Sequence, residues 1–310
     1  MKINVQFTKL KLTKRITFKL QLSFLLLMIS IPLQAIESAK PESKHSTEKS
    51  ADEATEFLRV KRDDKLQSLS FDTAIVRYKS NSGITVDLVA AVHIADEDYY
   101  KNLNSQFESY DAVLYELVAA KGTKIQRDRK PENTSMLTKA QQSMKDMLDL
   151  SFQLTMIDYN KDNFVHADMS PEQFSKSMDD KGESFSSMFF KLMLQSMAMQ
   201  NSNSGVSDLH LIFAFMADDR AMQLKKVLAL QFENMGSTIL ALEGEDGSTI
   251  INERNNEALK VLKQQIALDN KHFAIFYGAG HMPDLEKKLL RDFDMTVVSH
   301  QWLAAWDLTR

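Results

Sequence analysis

The sequence predicts an α/β protein: a central sheet with a parallel βαβ core flanked by helices, plus a Met-rich all-helical insertion. Three observations carry this reading. Apolar, β-rich runs alternate with helix-periodic runs at both ends of the chain, the order that builds parallel sheets. Two of those runs lead directly into histidines, His93 and His281, and a third carries a lone Glu116. Residues 132–235 hold 13 of the 17 methionines and almost no strand signal.

In chain order, residues 1–35 read as a signal peptide. Six Lys and Arg precede an apolar stretch, and Leu33-Gln34-Ala35 forms a cleavage site after Ala35. The apolar stretch is short for a membrane span, so no stable span is expected once the signal is removed. This predicts a periplasmic or secreted protein. Residues 36–55 are polar and charged and read as a disordered linker. Residues 56–310 then form a single domain, of a size that one α/β unit accommodates.

Phe71–Lys79 and Ile84–Val92 flank the turn Ser80-Asn81-Ser82-Gly83 and predict an antiparallel hairpin. Asp96-Glu97-Asp98 supply acids to a first helical turn. Tyr99, Leu103, Phe107 and Tyr110 follow at helical spacing, and Ala112–Val118 is the next strand. Strand 84–92, helix 97–109 and strand 112–118 thus make a short βαβ unit. Its strands should be parallel, with a right-handed connection. If they are neighbours, their ends lie one strand spacing apart.

In the insertion, helices are expected at 134–150, 184–200 and 208–233, the last two separated by Asn201–Gly205. Ser170-Pro171-Glu172-Gln173 is a helix start. Strand Ser237–Leu242, a helix from Ile250 to Leu268, strand Phe273–Tyr277, helix Pro283–Arg291 and strand Met295–Ser299 complete the pattern.

Composition narrows the chemistry. There is no cysteine, which removes thiol nucleophiles and zinc-thiolate sites and fits a domain large enough to need no disulfides. Without residues 1–35, 32 basic residues face 42 acids, a formal charge of −10. That sign makes nucleic acid an unfavourable partner. No Gly-x-Ser-x-Gly elbow occurs, so Ser-His-Asp catalysis has no support. Met193, Met197 and Met199 raise copper as an option, but helical methionine is usually core filler, or an adaptable surface for peptides or lipids.

In a parallel sheet, ligands bind outside the carboxyl ends of the strands. His93, Glu116 and His281 can converge there although they are far apart in sequence. Gly278-Ala279-Gly280 before His281 lets the backbone turn tightly. Two imidazoles and a carboxylate suit a transition metal with an open position, which polarises carbonyls and acidifies bound water. Taken singly, each residue also has an ordinary structural role, Glu116 as half of a buried ion pair. Arg254, after Gly244–Ser248, can enter the same edge as a cation for a substrate carboxylate or a developing oxyanion. Asp96 is a candidate to orient His93 or, more simply, to cap its helix. His166 is a further site candidate.

The run Ala90-Ala91-Val92-His93, then Glu116 within a strand, then Glu253-Arg254-Asn255, then Gly278-Ala279-Gly280-His281 resembles the TraB/PrgY/GumN family. That family is related to TIKI-type metalloproteases and distantly to erythromycin esterase-like proteins. The resemblance covers residues 70–118 and 237–307 and leaves out the Met-rich middle. It implies an α/β fold with His93, Glu116, Arg254 and His281 as site residues. It further implies a divalent metal, manganese or cobalt rather than zinc, and peptide hydrolysis or peptide binding. Ala90 stands where the family has glycine. The reading is therefore an exported metal-dependent hydrolase, most simply a peptidase acting on a peptide or small apolar substrate. His93, Glu116 and His281 are its metal ligands; Glu116, Arg254 and His93 are its catalytic residues. The alternatives are a non-catalytic module that sequesters a peptide or another apolar ligand and a metal-free esterase-like hydrolase with His93 as general base.

Overall fold

The computed structural model describes residues 55–125, 148, 150–183, 217, 219–233 and 248–309. It begins with β1 (Leu58–Arg62), β2 (Ser68–Ser80), β3 (Thr85–Ala91), β4 (Ile94–Ala95), α1 (Glu97–Phe107) and β5 (Ala112–Tyr115). Next come β6 (Ser151–Phe152), α2 (Gln153–Met156), β7 (Phe164–His166), α3 (Pro171–Asp180) and α4 (Arg220–Glu233). The chain closes with α5 (Arg254–Ile266), β8 (His272–Gly278), α6 (Met282–Asp292) and β9 (Met295–Asp307). A π-helical turn, Thr249–Glu253, leads into α5, and a 3-10 turn, Ala279–His281, leads into α6.

Among the described residues seven strands make one sheet. β3, β8, β5 and β7 are mutually parallel, in that spatial order. β2 runs antiparallel to β3, forming the expected hairpin, and also pairs with β1 and β9. β9 follows β2 from Ser70 to Ser80, so β1 and β3 divide β2's other edge between them.

The βαβ unit differs from expectation in one respect. β3 and β5 are parallel, but β8 lies between them and pairs with both. Phe273, Ala274, Ile275, Phe276 and Tyr277 are all fully buried. A strand apolar on both faces belongs inside a sheet with helices on each side. The ends of β3 and β5 are therefore two strand spacings apart, about 10 Å, with the β8 turn between them.

Side-chain alternation divides the core into two layers. Ala274 and Phe276 of β8 pack with Leu103 and Phe107 of α1 and Leu224 and Leu228 of α4. Phe273, Ile275 and Tyr277 pack with Leu259 and Leu262 of α5 and Leu285 and Leu289 of α6. Each such side chain contributes about 1.5–3 kcal/mol by leaving water. In α1 the predicted apolar face is the buried one, with Tyr99, Leu103 and Phe107 inside.

Other boundaries shift for identifiable reasons. The helix expected from Ile250 begins as the π-helical turn, with the Ser248 hydroxyl accepting from Ile251 N at 3.2 Å. β9 extends to Asp307 rather than stopping at Ser299 because β2 offers partners along its whole length. Within 132–235 the described residues include two short strands, and β7 joins the parallel sheet. α3 begins with a capping box: Ser170 Oγ accepts from Gln173 N at 3.2 Å, and Gln173 Oε1 accepts from Ser170 N at 2.8 Å. Residues 1–54, the helices expected at 134–150 and 184–200, the break Asn201–Gly205, the start of the helix expected at 208–233 and strand Ser237–Leu242 lie outside the described residues, save Leu148 and Leu150. Among the described residues no helix is long and apolar enough to cross a membrane.

Asp96 neither caps α1 through its side chain nor contacts His93. Its carboxylate accepts from Lys225 Nζ at 2.9 Å and from Asp307 N at 2.6 Å. It thereby ties α4 and β9 to the start of α1.

Candidate active site

The parallel strands end at Ala91, Gly278, Tyr115 and His166. The residues that follow emerge on one edge of the sheet: His93, His281, Glu116 and Asp168. Arg254 reaches the same edge from the first position of α5.

Glu116 is fixed at both oxygens. Oε2 accepts from Gly278 N at 2.6 Å, and Oε1 accepts from Arg254 Nη2 at 2.8 Å. Gly278 eases this approach, because a Cβ there would stand 3.3 Å from Glu116 Oε2 and the carboxylate would have to give by a few tenths of an ångström. Arg254 also donates to Asp168, through Nε at 3.0 Å and Nη2 at 2.5 Å. Its Nη1 faces His281 Nε2 at 3.5 Å. Arg254 is only 9% exposed, so as placed it is an internal counter-ion to two carboxylates and not a cation open to a substrate. Two carboxylates share one guanidinium, leaving a formal charge of −1.

His281 Nε2 lies 3.6 Å from Glu116 Oε1. Its Nδ1 is 2.7 Å from Asn255 Oδ1. Asn255 Nδ2 donates to Asp284 Oδ2 at 2.8 Å and to His281 O at 3.1 Å, and Lys288 Nζ pairs with Asp284 at 2.7 Å. Burial lowers the His281 pKa and Glu116 only partly restores it, so it falls to about 4 and the ring is neutral at pH 7. Burial alone would raise Glu116. The charges of His281, Arg254 and His93, with the Gly278 N–H, outweigh it and hold the carboxyl at about 2. Because His281 is charged only in acid, Arg254 and the N–H carry that effect at neutral pH.

His93 sits at the exposed rim. Its Nδ1 is 3.2 Å from Gln153 Oε1, and Gln153 Nε2 donates to Tyr159 Oη at 2.9 Å. His166 ends β7 but turns away from the cluster: its Nε2 pairs with Leu117 O at 2.6 Å, and its buried Nδ1 has no hydrogen-bond partner among the described residues.

The structure thus joins Glu116, Arg254 and His281 in direct contact and leaves His93 beside them. Sequence reasoning missed Asp168, Asn255, Asp284 and Gln153. Asp168 carried a usable signal, since Phe164-Val165-His166-Ala167-Asp168 repeats the pattern of a short β run followed by a polar group.

The donor chemistry suits a divalent cation: a carboxylate held ionised, an imidazole and a local excess of negative charge. The 3.6 Å between His281 Nε2 and Glu116 Oε1 is also within what two donors at about 2.1 Å from one ion can span. His93 is the third donor of matching chemistry. Among the described residues no three His, Asp or Glu side chains stand close enough together, as placed, to enclose an ion.

No family model, curated protein or solved structure matches this chain. What the fold and cluster define is a class: an α/β protein with a buried Glu-Arg-Asp-His network at the carboxyl edge of its parallel strands.

Proposed function

We propose that the chain is an exported metal-dependent hydrolase that acts on peptide bonds at this edge. One observation carries the reading: Glu116 is held ionised between Arg254 and the Gly278 N–H, with the neutral His281 ring 3.6 Å away. The order of motifs, resembling the TraB/PrgY/GumN family, supports it. His281, Glu116 and His93 would hold a divalent ion, manganese or cobalt. Such an ion polarises a carbonyl and lowers the pKa of bound water. Glu116, held below the usual carboxylate range by Arg254 and the Gly278 N–H, is a weak base at neutral pH, which favours a ligand role over a general-base role. Arg254 keeps that carboxylate charged and oriented. His93, on the rim, meets substrate first.

A second reading, metal-free ester hydrolysis with His93 as general base, is favoured by one feature. His93 is the exposed imidazole, and Gln153 orients its Nδ1 as a general base requires.

The test is hydrolysis of peptide and ester libraries by the chain from residue 36, with manganese, cobalt or chelator. Metal-dependent turnover that Glu116→Gln abolishes supports the first reading. Chelator-resistant turnover lost in His93→Ala supports the second. Absence of turnover under every condition, with peptide still bound, sinks both and leaves a sequestering module.

A further inference from the structure

We infer that Asn255 is the positioning residue of this edge: clamped by Asp284, it holds His281 as the Nδ1–H tautomer and presents a bare Nε2 toward Glu116. The geometry stands on its own. Only the consequence for catalysis rests on the hydrolase reading.

Asn255 places an amide nitrogen 2.8 Å from Asp284 Oδ2 and 3.1 Å from the His281 carbonyl, both acceptors. Its other atom is therefore the carbonyl oxygen, 2.7 Å from His281 Nδ1. An acceptor at that distance requires a proton on Nδ1. At the far side of the ring, Nε2 faces Arg254 Nη1 at 3.5 Å. A guanidinium has donors only, so a proton on Nε2 would set two donors against each other. Glu116 Oε1 accepts from Arg254 Nη2 and lies 3.6 Å from Nε2, beyond hydrogen-bonding distance, so it gives an Nε2 proton no partner. The 2.7 Å contact at Nδ1 is the decisive selector, and the 3.5 Å approach of Arg254 at Nε2 only reinforces it.

The clamp is itself held. Lys288 pairs with Asp284 at 2.7 Å and also reaches Asn252 O at 3.3 Å. Asn255 is fully buried, and Asp284 and Lys288 nearly so. Without Asp284 only the His281 carbonyl, at 3.1 Å, holds the Asn255 amide, and turning that amide over offers N–H to the ring, which selects the opposite tautomer. Hydrogen-bond partners that fix an imidazole's tautomer are a general means of directing its other nitrogen to a task.

The experiment is nitrogen-15 NMR of the imidazoles in the metal-free chain, with His281 assigned by its absence in His281→Gln. At pH 7 the wild type should show His281 protonated at Nδ1 and bare at Nε2. Asn255→Ala should lose that signature, giving a mixture or the Nε2–H form. Asp284→Ala keeps Asn255 but frees its amide, and should also show a mixture; it serves where Asn255→Ala does not fold. A wild-type ring protonated at Nε2 overturns the inference. So does an unchanged tautomer in folded Asn255→Ala or Asp284→Ala. No substrate enters the measurement. An Nδ1–H ring in a protein that hydrolyses nothing would sink the hydrolase reading and leave this one intact.

Discussion

Acidification should destabilise this protein first through His281, whose window opens at a higher pH than that of Glu116. The ring is 5% exposed, and its pKa falls from 6.5 in an unfolded chain to about 4 in the fold. The sign follows from linkage. Between those values the unfolded chain binds a proton that the native state refuses, so stability declines as pH drops through that window. Above about 6.5 the ring is neutral in both states and the contribution is complete. At about 1.4 kcal/mol per pKa unit, the loss by pH 4 is about 3 kcal/mol. That is a large share of the roughly 5–15 kcal/mol that holds a domain together. Urea denaturation of the metal-free chain at pH 7.5, 6, 5 and 4 measures it, with His281→Gln alongside. The variant starts less stable but lacks this slope, so the two curves should converge by about 3 kcal/mol. If wild type and variant lose equal stability across the window, His281 is not buried as a neutral ring and the electrostatic account fails.

Three further outcomes follow from packing and pairing. Arg254→Met leaves Glu116 and Asp168 without their cation; it should cost about 3 kcal/mol at pH 7 and less at pH 5, where protons replace the lost charge, as urea titrations at both pH values would show. Leu103→Ala hollows the α1–sheet layer at a side chain that is 1% exposed, and should cost about 3 kcal/mol in calorimetry. Ser170→Ala removes the hydroxyl of the α3 capping box and should cost about 1 kcal/mol, read as a lower midpoint in urea.

Local signals in the chain determined much of this protein. The β-rich runs on either side of the Ser80–Gly83 turn specified the β2–β3 hairpin. The spacing of Tyr99, Leu103 and Phe107 specified the buried face of α1, and Ser170 with Gln173 specified the start of α3. Polar residues following apolar strands marked His93, Glu116 and His281, because a parallel sheet delivers such residues to one edge whatever its strand order. The strand order itself lay beyond local pattern. β8 pairs with β3 and β5 across more than 150 residues of sequence, and a strand's periodicity is the same whichever neighbour it has. That insertion seats Gly278 against Glu116 and His281 within reach of Arg254, and moves His93 to the rim. The roles of Arg254, Asp168 and Asn255 were likewise decided by the tertiary structure. A sequence shows that a charge or an amide is present; only packing shows whether it meets water, a carboxylate or an imidazole, and that choice fixes its protonation and its chemistry.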